Sequence, residues 1–90
     1  MLELYQAEGC PYCVKVRSKL TELGLSYIIH NPRTAKRDNR NEQPYENLLS
    51  IGGKDQIPFL VDKERRESLY ESDDIVDYLE QHYGRTKVAQ

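Results

Sequence analysis

Two cysteines three positions apart, with a proline directly after the first, set the strongest constraint on how this chain folds: Cys10-Pro11-Tyr12-Cys13. Proline has no backbone N–H and a fixed φ, so it suits the first position of a helix and disrupts any deeper one. A helix is therefore expected to begin at Pro11, with Gly24 as its natural stop. Within that span Cys13, Val16, Leu20 and Leu23 share one face, and Lys15, Lys19 and Glu22 lie mostly off it. Cys10 is left at the mouth of the helix, and Cys13 falls one turn inside on the apolar face. Upstream, Leu2-Glu3-Leu4-Tyr5 alternates as a short strand does, and residues 6–9 make the loop between them.

Past Gly24 the pattern continues through five more elements. Residues 25–30 read as a strand, with Tyr27, Ile28 and Ile29 as its β-forming residues. Residues 31–43 are rich in Asn, Arg, Asp, Glu and Lys without an apolar period, which predicts an exposed loop holding at most a turn of helix. Residues 44–51 predict a short helix that buries Leu48, Leu49 and Ile51 and is closed by Gly52-Gly53. Residues 57–61 form a buried strand, paired across the charged turn 62–66 with residues 67–70. Ser72 is expected to cap a last helix through its hydroxyl. Ile75, Tyr78, Leu79, His82 and Tyr83 make the apolar stripe of that helix, Gly84 ends it, and residues 85–90 are a frayed tail. The chain is thus expected to hold one domain, residues 1–84, with a tail over 85–90. The order β-α-β-α-β-β-α requires a helical crossover and then a hairpin, so an α/β fold follows: one four-stranded mixed sheet flanked by three helices, with helices on both faces.

Composition excludes several function classes. Ninety residues with 38% apolar side chains and 31% charged ones suit a single modest core under a polar surface. Net charge is −2, but residues 1–40 hold seven Lys/Arg against four Asp/Glu, and residues 41–90 six against eleven. Neither half has the concentrated cationic face that nucleic acid demands, so no nucleic-acid partner is expected. There is no apolar run of membrane-spanning length and no leader pattern at the N-terminus, so the chain is expected in the cytoplasm without a membrane partner. A secreted domain of this size usually carries four or more cysteines as staples, whereas two in C-x-x-C spacing suit redox chemistry in a reducing compartment.

That chemistry rests on an asymmetry. The Cα atoms of such a pair stand ~5–6 Å apart, a distance a disulfide accepts. Cys10 meets the unpaired N–H groups and positive dipole end of its helix, with Lys15 and Arg17 further along. Thiols so placed ionise at roughly 3.5–7.5 instead of about 8.5. Cys13, on the apolar face, is desolvated and stays protonated. Cys10 is therefore expected to attack and Cys13 to resolve. Two other readings are a pair of inert buried thiols and a zinc site, the latter short of ligands because only His30, His82 and scattered carboxylates remain. His30 and His82 suit a strand end and a helix face, so neither is given a role, and no metal is expected.

Cys10-Pro11-Tyr12-Cys13 after a short strand resembles the active site of dithiol glutaredoxins, in the thioredoxin-like superfamily. Gln56-Ile57-Pro58 is similar to the superfamily's Val-Pro element, whose proline is cis and faces the cysteines. Leu69-Tyr70-Glu71-Ser72-Asp73-Asp74-Ile75, running on into Asp77-Tyr78-Leu79, resembles the glutathione-binding turn and the helix after it. The Glu71-Ser72 pair and the long hairpin before it look more like the N-terminal domain of glutathione transferases than like short glutaredoxins, where Gly-Gly usually replaces Tyr70-Glu71. The resemblance implies a thioredoxin-like fold and a glutathione site built from Tyr12, Ile57, Pro58, Glu71, Ser72 and Asp73 around the catalytic Cys10 and Cys13. There the Ile57 backbone pairs with a bound thiol peptide as an added strand does, and Ser72 and Asp73 receive the γ-glutamyl carboxylate and amine. The plainer readings are a strand start for Pro58 and ordinary helix capping for Ser72 and Asp73. One departure stands out: Ala7 and then Glu8 occupy the stretch where many glutaredoxins place a lysine. Arg33, Lys36, Arg37 and Arg40 either supply the missing cation or form a solvated face.

The implied activity is reduction of protein disulfides and of mixed disulfides with glutathione or a similar small thiol. Glutathione serves as co-substrate, disulfide-bonded or glutathionylated proteins as clients, no cofactor is bound, and the chain acts as a monomer. The alternative is a carrier module that holds a [2Fe–2S] cluster between two protomers through the first cysteine and glutathione. Two further possibilities are a reductant regenerated by an enzyme, and glutathione conjugation, which is expected to need a following helical domain.

Overall fold

The computed structural model describes residues 1–84, and the tail expected over 85–90 lies outside them. Strand β1 (Leu2–Tyr5) leads into helix α1 (Pro11–Glu22), strand β2 (Tyr27–His30), helix α2 (Glu42–Gly52), strand β3 (Phe59–Asp62), strand β4 (Glu67–Tyr70) and helix α3 (Ser72–Tyr83). The sheet order is β2-β1-β3-β4, with β1 and β2 parallel and the other neighbours antiparallel. This is the expected α/β topology, a thioredoxin-like fold.

Helices cover both faces, by different means. Leu2 and Leu4 of β1 and Leu60 of β3 point at α1 and α3, where Val16, Leu20, Leu23, Ile75 and Leu79 close a dry cluster. Tyr5, Phe59 and Val61 point the other way, against Leu48 of α2. Because both faces are covered, Glu3 is not turned to solvent. It lies inside on the α2 face, bonded to His30 Nε2 at 2.8 Å and Lys63 Nζ at 3.0 Å. Burial alone would raise its carboxyl, but these partners hold it below the usual range.

Several expectations are corrected. Helix α2 starts at Glu42, two residues before Pro44, because the first turn's N–H groups have no helical partner and proline costs nothing there. Of its three expected core residues only Leu48 is buried; Leu49 and Ile51 remain 38% and 49% exposed, since a helix alone on its face buries a narrow stripe. Gly53 closes this helix with φ +86, and a side chain at Gly52 would collide with the Tyr70 hydroxyl. Strand β3 begins at Phe59 rather than residue 57, because Pro58 has no N–H to give a ladder. Strand β2 is likewise shorter than residues 25–30. The segment 31–43 is not a simple exposed loop: Pro32 and Arg33 are buried, Arg33 bridges to Arg40, and the Thr34 hydroxyl accepts the N–H groups of Asp38 and Asn39 at 3.2 and 3.3 Å. Tyr78 and Tyr83 are half-buried on α3, their hydroxyls donating to Asp62 Oδ2 at 2.8 and 2.6 Å. No helix among the described residues is long and apolar enough to cross a membrane.

Candidate functional site

The loop after β1 delivers Cys10 to the start of α1. Gly9 turns the chain with φ +83, the Cys10 N–H reaches the Ala7 carbonyl at 3.4 Å, and the Cys10 carbonyl accepts the first helical bond from Val14 at 3.0 Å. Cys10 is thus the N-cap residue, with Pro11 at the next position as its missing N–H favours. Both cysteines are buried, but Cys10 keeps 8% of its surface exposed, whereas Cys13, one turn deeper, has none. Both thiols are free, and they pack with Ala7 in one small cluster against Ile57. Burial pushes the Cys13 thiol up to about 12; its hydrogen bond with Cys10 adds to the rise, and a backbone contact at Ala7 opposes it. The two sulfurs therefore differ in depth, and burial keeps the deeper one, Cys13, protonated.

Beside this cluster lies a cavity of about 340 Å³ lined by Tyr12, Gln56, Ile57, Pro58, Glu71, Ser72 and Asp73. All six residues that the resemblance assigns to glutathione meet there, drawn from α1, the approach to β3 and the start of α3. The Ile57–Pro58 peptide bond is cis. Tyr12 stands 64% exposed at the rim. Glu71, not Ser72, is the N-cap of α3, with φ 72 and ψ 114. A residue other than glycine seldom takes that conformation and keeps it only where its surroundings over-determine it, a pattern common at ligand clamps. Ser72 is the first helical residue and makes no side-chain cap bond, so the expected hydroxyl cap is absent and the backbone N–H groups of the first turn remain unspent.

Gln56, which sequence reasoning placed only at a strand opening, is a wall of this cavity and donates from Nε2 to Glu71 Oε2 at 3.0 Å. Its position next to Ile57-Pro58 was the available signal. Another link had none: Lys15 on α1 pairs with Asp73 on α3, across 58 positions of sequence. Lys15 thus serves a carboxylate, not the expected field at Cys10. Arg17 likewise turns to Gln6 and, at 3.8 Å, to Glu8, which offsets the negative charge that Glu8 brings beside the cysteine. Of the four cations after β2, Arg33 is spent on Asp55 at 2.5 Å, Arg37 on the Asp55 carbonyl at 3.5 Å, and Arg40 lies 4.6 Å over the Tyr45 ring. None of the four lines the cavity. Among the described residues no group of three or more His, Cys, Asp or Glu is arranged to hold a metal ion.

The sheet order, the paired cysteines opening α1 and the proline beside them define a thioredoxin-like domain. More narrowly, the model of the glutathione S-transferase N-terminal domain matches residues 4–87, and the chain belongs to that family. Solved structures agree. Glutathione S-transferase isozyme E7 from Drosophila melanogaster superposes with a TM-score of 0.76, at 26% identity over 94% of this chain and 36% of its own. A glutathione S-transferase from the Antarctic clam Laternula elliptica gives 0.74 at 26% identity, covering 93% and 36%. A glutathione transferase homolog from sulfitobacter, solved with bound glutathione, gives 0.73 at 26% identity, covering 97% and 39%. The chain spans just over a third of the length of these solved relatives. No curated protein sequence matches it.

Proposed function

We propose that the chain is a glutathione-dependent thiol–disulfide oxidoreductase of glutaredoxin type, acting in the cytoplasm. One observation carries this reading: Cys10 opens α1 beside the cavity while Cys13 lies buried one turn behind it with its thiol raised to about 12. The arrangement separates an attacking sulfur from a reserve one. Cys10, as thiolate, attacks the glutathionyl sulfur of a mixed disulfide; a Cys10–glutathione disulfide forms, the client sulfur leaves, and it takes up a proton. A second glutathione thiolate then attacks and departs as oxidised glutathione, restoring Cys10. For a client disulfide, Cys13 must first lose its proton and then displace the client from Cys10, leaving a Cys10–Cys13 disulfide. Unpaired N–H groups at the helix start stabilise negative charge at the attacking position.

Reduction of hydroxyethyl disulfide, measured with and without glutathione, tests this. Cys10→Ser is expected to abolish turnover, and Cys13→Ser to keep glutathione-dependent turnover while losing reduction of client disulfides. Equal loss from both substitutions would contradict the division of roles. A second reading is glutathione conjugation, which the family match favours. It predicts turnover of an aryl halide that survives Cys13→Ser and needs no disulfide.

A further inference from the structure

We propose that Lys15 determines ligand specificity by competing with a ligand's ammonium group for Asp73. The inference rests on the reading of the cavity as a glutathione site. Its lining supplies two carboxylates, Glu71 and Asp73, and no Lys or Arg. Glu71 is bonded by the neutral amide of Gln56 at 3.0 Å, which leaves its charge in place. Asp73 is different: the Lys15 ammonium sits directly on Oδ1.

An amino-acid head carries a carboxylate and an ammonium on one carbon. At the start of α3 the carboxylate meets backbone N–H groups, and the ammonium needs a carboxylate beside them. Of the two carboxylates, Asp73 is the one inside the first turn of α3, beside those N–H groups, and Lys15 already holds it. Binding of an amine-bearing thiol is then an exchange of one ammonium for another rather than a simple gain. Both partners of the pair are half or more exposed, with side-chain values of 50% and 78%. An exposed ion pair of this kind is weak and screened, so it lowers affinity for the amine without blocking it. The neighbouring cation Arg17 cannot take over, being engaged by Gln6 and Glu8.

The test measures binding of S-methylglutathione and of its counterpart in which the glutamyl amine is replaced by hydrogen, to the whole chain, by calorimetry or NMR titration. The two ligands differ by one positive charge, so the bare lysine field also separates them; the Asp73→Asn background measures that contribution, and competition is the part of the Lys15→Met shift that vanishes there. Lys15→Met is expected to shift the ratio towards the amine-bearing ligand by about two- to fivefold, the size of one surface ion pair. Lys15→Arg keeps the pair and is expected to keep the native ratio. Asp73→Asn is expected to erase the preference in both the native and the Lys15→Met backgrounds. An unchanged ratio in Lys15→Met, or a shift away from the amine-bearing ligand, overturns the inference and leaves the glutathione reading standing. Absence of binding by either ligand to any of the proteins overturns both.

Discussion

Two helices lie against one face of the sheet and a single helix against the other, and the polar groups trapped on the two faces are satisfied in different ways. On the α1/α3 face the lining is aliphatic, and its one buried acid, Asp62, is held by the neutral hydroxyls of Tyr78 and Tyr83. On the α2 face only Leu48 of the helix is buried, and the trapped charges are met by charged or ionisable partners: Glu3 by Lys63 and the His30 ring, Arg33 by Asp55. Apolar burial does not titrate, whereas these pairs respond to pH and are screened by salt. The cavity sits at the junction. Its Tyr12 and Asp73 belong to the firmly packed helices, and its Gln56, Ile57 and Pro58 to the segment that the ion pairs anchor. The α1/α3 side, which carries the cysteines, is therefore expected to be the more rigid, and the α2 side, which shapes the opening, the softer.

The largest expected effect comes from the dry face. Leu60, fully buried on a central strand, packs among residues of both α1 and α3 with little room for collapse. Leu60→Ala is expected to cost about 3–5 kcal/mol by urea unfolding, a large share of what a domain of this size has. A cost below about 1 kcal/mol would mean that this face is not the rigid one.

Asp62 gives an intermediate effect and a pH signature. Burial would raise its carboxyl, yet the hydroxyls of Tyr83 and Tyr78 hold it below its ordinary value, and Tyr83 itself rises to about 12. A carboxyl lowered by folding stabilises fully above its unfolded value and loses that contribution as the pH falls through the folded one, here below about pH 4. Asp62→Asn is expected to cost about 2 kcal/mol at neutral pH and to flatten the decline of the denaturation midpoint between about pH 5 and pH 3. A decline as steep as in the native chain would assign the acid sensitivity to the other face.

The difference between the faces also explains what could be read in advance. Element order, the helix starting at Pro11, and the depth of Cys13 followed from local spacing, because the α1/α3 face is built from regular apolar periods such as Val16, Leu20 and Leu23 or Ile75 and Leu79. The α2 face was misread where long-range charge decides. Arg33 looked like one of a run of solvated cations, and only the fold brings it to Asp55 at 22 positions' remove. The partners of Glu3 and Lys15, namely Lys63 and Asp73, lie 60 and 58 positions away, beyond the reach of any local pattern. The residues lining the cavity were legible only through the resemblance, since nothing in local spacing joins Tyr12 to Gln56 or to Glu71.

The smallest expected effect is the most discriminating between the two faces. Asp55 joins three parts of the softer side: its carboxylate accepts from Arg33 Nε at 2.5 Å and from the Tyr45 hydroxyl of α2 at 3.3 Å, and its own residue leads directly into Gln56, Ile57 and Pro58. Burial would raise this carboxyl, but Arg33 and its neighbours keep it below the usual range, so the tie is complete at neutral pH and is lost in acid. Asp55→Asn removes the charge while keeping the shape. Because Asp55 is partly exposed, the cost in global stability is expected to be only about 1 kcal/mol. The sharper reading is local. With α2 fastened by little more than Leu48, its amides are expected to exchange several times faster in the variant, while those of α1 and α3 shift only by the global amount. The native chain brought below the folded value of Asp55 is expected to show the same pattern. Uniform acceleration across all three helices would show that the two faces open as one unit, and the division between a rigid and a softer side would fail.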